Sequence, residues 1–177
     1  MEIFSSDFAA ILNSVPSAEG AIALAMQETD VTIHNSRILI CGLGRIGLTL
    51  ARILRNMDAQ VTVAVSNSSQ KARAWSMGLE WVDFAHWDLT GFDLIFNTVP
   101  ALVLDASALE QCSGVIIDLA SAPGGTDFAK ASQLGIKAIL APGLPGKYAP
   151  RTAGRILAQI VPELLISNLP DCSGGGF

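Results

Sequence analysis

Ile38-Leu39-Ile40-Cys41 is wholly apolar and runs straight into Gly42-x-Gly44-x-x-Gly47. A short apolar run without alternation suits a strand buried on both faces, as inside a parallel sheet. Beyond the glycines, Ile46, Leu50, Ile53, Leu54 and Met57 fall on one face of a helix. Val61-Thr62-Val63-Ala64-Val65 then supplies the β-branched residues of a second strand. Strand, glycine turn, helix and strand within roughly 30 residues make a βαβ unit. That unit commits the chain to an α/β architecture.

The alternation continues downstream. Helices are expected over residues 69–77, 104–112 and 126–134, the first and third stopped by Gly78 and Gly135. Short strands are expected at 80–82, 93–97, 115–119 and 137–140. A last helix carries Ala153, Ile156, Leu157, Ile160, Val161, Leu164 and Leu165 on one face, and Pro162 is expected to kink it. The repeated pattern predicts a doubly wound parallel sheet, a Rossmann-like dinucleotide-binding domain over residues 31–168. A helical segment, 1–30, precedes it. There Phe4, Phe8, Ile11 and Leu12 form one stripe, and Ala18, Ile22, Ala25, Met26 and Thr29 a second. Asn13-Ser14-Val15-Pro16-Ser17 is expected to separate two helices, with Ser5 or Ser6 and then Ser17 as caps. Residues 169–177, with three consecutive glycines, read as a disordered tail.

Composition narrows the function classes. Half of the 177 residues are apolar and only 15% are charged, which excludes a disordered chain. A net charge of −5 argues against nucleic acid as a partner. No continuous apolar run approaches the roughly 20 residues of a membrane span. The N-terminus has no basic flank and no apolar core, so no secretory leader is expected. Cys41, Cys112 and Cys172 lack metal-ligand spacing, and no metal is expected. A reducing, cytoplasmic location fits three unpaired thiols.

The glycine motif is informative because it follows a strand and opens a helix. Gly42 allows the tight turn, Gly44 lets a pyrophosphate approach the backbone, and Gly47 lets helix pack on strand. The helix N-terminus, with Arg45 and Ile46, then faces an anion. The alternative is a glycine turn without a ligand. An NAD site usually carries an Asp or Glu roughly 20 residues past the motif. Here Ser66-Asn67-Ser68-Ser69-Gln70-Lys71-Ala72-Arg73 has none. Hydroxyls, Lys71, Arg73 and Arg45 suit a 2′-phosphate, so NADP is the first choice and NAD the second. The competing reading makes Lys71 and Arg73 a solvated helix face.

Ligands of such sheets bind beyond the carboxyl ends of the strands. Asn97-Thr98-Val99-Pro100, Leu119 with Ser121, and Pro142 with Gly143 fall there. They are expected to border the nicotinamide and substrate, although each is also an ordinary turn sequence. Arg151 is a carboxylate-binding candidate or a surface arginine. Asp118 reads as structural, His34 and His86 have no evident partner, and Trp75, Trp81 and Trp87 read as packing. No nucleophile–base set stands out, so catalytic residues stay unassigned.

Several segments carry a family resemblance. Asn13-Ser14-Val15-Pro16-Ser17-Ala18-Glu19-Gly20 and Gly42-Leu43-Gly44-Arg45-Ile46-Gly47 resemble segments of the dipicolinate synthase A-subunit family. So do Asn97-Thr98-Val99-Pro100, Ile117-Asp118-Leu119-Ala120-Ser121-Ala122-Pro123-Gly124-Gly125-Thr126 and Ala141-Pro142-Gly143-Leu144-Pro145-Gly146. The resemblance runs from about Asn13 to the last helix. It implies NADP-dependent oxidation of dihydrodipicolinate, a small dicarboxylate, to dipicolinate in the mother-cell cytoplasm of sporulating bacteria. It also implies a partner, the flavoprotein-like B-subunit of dipicolinate synthase. Gly42, Gly44, Arg45 and Gly47 match the family's nucleotide loop. The family has a further N-terminal domain before the Asn13 segment, almost all of which is absent here. Cofactor binding is therefore the firmer expectation and turnover by this chain alone the weaker one. The alternatives are a non-catalytic NAD(P)-binding module that controls partner assembly, or an NAD(P) oxidoreductase acting on another small acid. A homodimer is expected, because the stripes of the first helices need a cover.

Overall fold

A computed structural model describes residues 7–167. Phe4, the expected caps Ser5 and Ser6, and the expected tail 169–177 lie outside the described residues. In chain order the elements are α1 (Asp7–Glu28), β1 (Arg37–Cys41), α2 (Arg45–Asn56), β2 (Gln60–Val65), α3 (Ser68–Ser76), β3 (Glu80–Asp83) and β4 (Leu94–Asn97). They continue with α4 (Ala106–Leu109), β5 (Val115–Asp118), α5 (Phe128–Gln133), β6 (Ala138–Leu140), α6 (Leu144–Tyr148) and α7 (Pro150–Ser167).

The six strands form one sheet in the order β3-β2-β1-β4-β5-β6, and every pairing is parallel. This is the doubly wound sheet that the alternation predicts. The apolar runs have a simple cause. Successive side chains of a strand point to opposite faces, and each face has its own core. Ile38, Ile40, Val63, Leu94 and Phe96 join the core beneath α1, α2 and α6. Leu39, Cys41, Ile95 and Ile116 join the core beneath α4 and α5. Ile38, Leu39 and Ile40 are fully buried, and each contributes roughly 1.5–3 kcal/mol.

The expected break near Pro16 does not occur; α1 is one helix with Pro16 inside it. An internal proline costs about 3 kcal/mol. The bond lost is the one to Leu12 O; on either side of it Ser14 donates to Ile11 O at 2.7 Å and Ser17 to Asn13 O at 2.8 Å. Ser17 is therefore a buried mid-helix residue and not a cap. Burial decides the balance. Ala18, Ala21, Ile22, Leu24 and Ala25 enter the core, and Ile22 and Leu24 alone offset the proline at roughly 1.5–3 kcal/mol each. The Ser14 hydroxyl also meets the Thr49 hydroxyl at 2.7 Å, joining α1 to α2. By length and composition α1 is apolar enough to cross a membrane, although its apolar residues form no continuous run. In this fold it packs against α2, α6 and α7 instead.

Smaller differences have local causes. α4 and α5 begin later than expected, because Asp105 and Asp127 cap them by accepting from Ala108 N and Lys130 N. α6 was not expected, since Pro145 and Gly146 read as loop. Pro145 sits in its first turn, where a missing N–H is harmless. Helix α7 remains helical through Pro162. Of the three tryptophans only Trp87 fits the packing expectation, edge-on to Phe84 with ring centres 4.9 Å apart. Trp75 is 81% exposed and Trp81 42%.

Candidate dinucleotide-binding site

The carboxyl ends of all six strands lie on one edge of the sheet, and the chain changes direction between β1 and β4. The glycine loop leaves β1 there. Gly42 has φ +87°, and a side chain on it would strike Val99 and Thr98. Gly47 sits against the Gly42 carbonyl oxygen, closer than any Cβ could stand. At Gly44 the space is open: a Cβ there would meet nothing within 4 Å. Gly44 also caps α2 without any side-chain hydrogen bond. The α2 N-terminus thus keeps its partial positive charge facing an open space. Two glycines serve the turn and the packing, and the third leaves the helix N-terminus open to an anion.

Two cavities border the loop. The smaller, about 400 Å³, is lined by Gly42, Gly44, Ser66, Gln70, Phe84, Thr98, Val99, Pro100 and Val103. The larger, about 480 Å³, meets the loop at Ile46. Ile46, Leu119, Ser121, Pro142 and Gly143 line it, together with Asn13 and Ser17 from α1, Leu144 from α6, and Ala153 and Leu157 from α7. Among the described residues no charged side chain lines either one.

Most of the expected site residues are brought together here. Gln70, Phe84, Val103 and the α1 and α7 residues were missed, because no motif marks them. The remaining expected residues do other things in this structure. Asn67 caps α3, its Oδ1 accepting from Gln70 N at 2.9 Å. Ser68 opens that helix and is exposed. Lys71 pairs with Asp83, Nζ to Oδ2 at 2.8 Å. Arg73 is exposed on α3. Arg45 pairs with Asp7, Nε to Oδ1 at 3.1 Å. Asn97 is fully buried and supports the rim from behind. Its Oδ1 accepts from Val99 N, and its Nδ2 donates to Val99 O and to Asp118 Oδ1.

Asp118 is the other buried support. Besides Asn97 it accepts from Ala120 N (3.0 Å), Gly125 N (2.8 Å) and the Thr126 hydroxyl (2.7 Å). This is the structural role its place on an apolar strand suggests. Behind the glycine loop, the Thr98 hydroxyl donates to Cys41 O at 2.8 Å, locking β4 to β1. Burial pushes the Cys41 thiol far up from its ordinary value and Cys112 up to about 11, so neither offers a thiolate at neutral pH. His34 lies 3.7 Å from Asp58 and lines neither cavity, and Arg151 is exposed.

Residues 15–107 match the family described as D-isomer specific 2-hydroxyacid dehydrogenase, NAD binding domain. The chain belongs to that family. All residues lining the smaller cavity fall inside the part shared with these dehydrogenase NAD-binding domains. Most residues lining the larger one fall outside it.

The A-subunit of dipicolinate synthase from Bacillus subtilis (strain 168) is 46% identical over 172 residues, which cover 93% of this chain and 57% of that protein. The dipicolinate synthase A-subunit structure from Bacillus halodurans aligns with a TM-score of 0.91 at 44% identity, over 96% of this chain and 59% of that one. The resemblance read from the motifs is therefore real. The chain spans little more than half the length of these relatives. A transhydrogenase from Sinorhizobium meliloti shares the fold, with a TM-score of 0.77 at 17% identity over 90% of this chain and 55% of that one.

Proposed function

We propose that this chain is the cofactor-binding part of a dehydrogenase of the dipicolinate synthase A-subunit type. It would bind NADP(H), with NAD(H) as second choice, for the oxidation of dihydrodipicolinate to dipicolinate. The observation that carries the reading is the open face of Gly44 at a helix N-terminus that no side chain caps, with two cavities bordering the loop. Gly42, Gly44, Arg45, Ile46 and Gly47 would hold the diphosphate. Ser66, Asn67, Ser68, Lys71 and Arg73 would surround the adenosine ribose, and the smaller cavity would take the adenosine. The larger cavity would take the nicotinamide between Ile46, Leu119, Ser121, Pro142 and Gly143, with Thr98, Val99 and Pro100 bordering the loop. When bound, the dinucleotide supplies the hydride acceptor.

The family resemblance supports the flavoprotein-like B-subunit of the synthase as partner and the mother-cell cytoplasm as location. A homodimer would cover the exposed Phe8, Ile11 and Val15 of α1. A second reading has one observation in its favour. Among the described residues no titratable side chain lines the larger cavity, so they bring no acid or base to a bound ring. A non-catalytic NAD(P)-binding module would need none.

The test is a titration of the chain with NADPH and NADH, followed by tryptophan fluorescence. Binding that favours NADPH is expected; binding of neither removes the reading. Turnover of dihydrodipicolinate, with the flavoprotein-like partner present, then separates the enzyme from the binding module.

A further inference from the structure

The carboxylate that β2 lacks reaches the same sheet edge from β3. Asp83 ends β3 in register with Val65, the last residue of β2. Its Oδ2 accepts from Lys71 Nζ at 2.8 Å and its Oδ1 from Ala85 N at 3.1 Å. The same ammonium lies 5.3 Å from the centre of the Trp81 ring. The chain neighbours of this pair, Gln70 and Phe84, line the cavity that opens on Gly42 and Gly44. A partly exposed ion pair therefore stands beside the rim of the proposed adenosine end.

We infer that Asp83 and Lys71 together set the preference at the 2′ position of the bound dinucleotide, Asp83 by withholding Lys71 from a 2′-phosphate. The inference rests on the dinucleotide reading above. The other polar groups of the β2–α3 turn are neutral and largely engaged with one another. Asn67 Oδ1 accepts from Gln70 N, and Gln70 Oε1 accepts from Ser66 N at 3.2 Å. Discrimination between a hydroxyl and a phosphate then falls to the charges nearby. A 2′-phosphate must draw Lys71 from its carboxylate and tolerate the carboxylate left behind. A 2′-hydroxyl meets neither demand and can donate to Asp83. The Lys71 hydrogen bond, with that from Ala85 N, holds the Asp83 carboxyl below its ordinary value, so the carboxylate persists at neutral pH. Asp83 thus narrows a preference for NADP that an unpaired Lys71 would widen.

The experiment measures NADPH and NADH dissociation constants by calorimetry for the whole chain and for Asp83→Asn, Lys71→Gln and the double variant. Both side chains are partly exposed, at 37% for Lys71 and 35% for Asp83, and neither joins a core. Asp83→Asn should raise the NADPH:NADH affinity ratio about tenfold, by freeing one charge-assisted hydrogen bond. Lys71→Gln should lower the ratio by a similar factor, and the double variant should return it to within about threefold of the parent. Single variants that bind both nucleotides with ratios within about twofold of the parent would overturn the inference and leave the dinucleotide reading standing. A parent chain that binds neither nucleotide removes the dinucleotide reading, and the inference with it.

Discussion

Asn97 and Asp118 meet side chain to side chain at the ends of neighbouring strands, Nδ2 to Oδ1 at 3.0 Å, with no exposed surface on either. Through them two rim loops share one support. Asn97 brackets Val99, and Asp118 gathers the backbone of Ala120 and Gly125 with the Thr126 hydroxyl. Val99 borders the smaller cavity and Ala120 the larger. Asp118→Asn would aim an amide N–H at a point where donors already converge. We expect a loss of about 1–3 kcal/mol in denaturant unfolding and weaker binding of both nucleotides. A double-mutant cycle with Asn97→Ala should show coupling above about 0.5 kcal/mol; additive losses would mean that the two loops are held separately.

Gly44 and Gly47 separate binding from folding. Gly47→Ala drives a methyl into the Gly42 carbonyl oxygen, a backbone atom that cannot swing aside. Stability should fall by roughly 1–3 kcal/mol or more, as overpacking does. Gly44→Ala meets open space, so the unfolding midpoint should stay near the parent's. NAD(P)H affinity should nevertheless drop, because the methyl stands where the diphosphate approaches. Unchanged affinity in a stable Gly44→Ala chain would count against the phosphate cradle.

The strands were legible because burial on both faces leaves a local mark, an unbroken apolar run such as Ile38 to Cys41. The continuity of α1 was not. Pro16 signals a break locally, whereas the burial of Ile22 and Leu24 that overrides it is tertiary. The hydrophilic β2–α3 turn showed its lack of a carboxylate, but Asp83 stands on another strand and meets Lys71 only once α3 packs beside β3. Asn13, Phe84 and Leu157 line the cavities from three distant parts of the chain. No spacing rule connects them. The glycine loop was readable because its chemistry depends on consecutive backbone.

The two described thiols predict an alkaline weakness. Burial raises Cys112 from 9.0 to about 11 and Cys41 further still. A raised pKa means that the folded state holds its proton while the unfolded state releases it. The stabilisation is complete below the ordinary value and is lost as pH rises from about 9 towards 11. Denaturant midpoints should fall across that window, and by less in a Cys112→Ala chain compared with itself at neutral pH. An equal fall in both chains would mean that the Cys112 thiol titrates normally.

Ala153 tests what enters the larger cavity. It is half-buried on α7 and lines the cavity together with Ile46 and Ser121. Phenylalanine there would fill space in a cavity that Gly42 and Gly44 do not line. Ala153→Phe should weaken NADH binding about tenfold or more while ADP-ribose, which lacks the nicotinamide, binds within about twofold of its parent value. Thermal stability should change by less than about 1 kcal/mol, because the new ring enters a void and displaces no neighbour. An equal loss for both ligands would mean that the substitution disturbs the diphosphate cradle. Unchanged binding of both would place the nicotinamide ring outside this cavity.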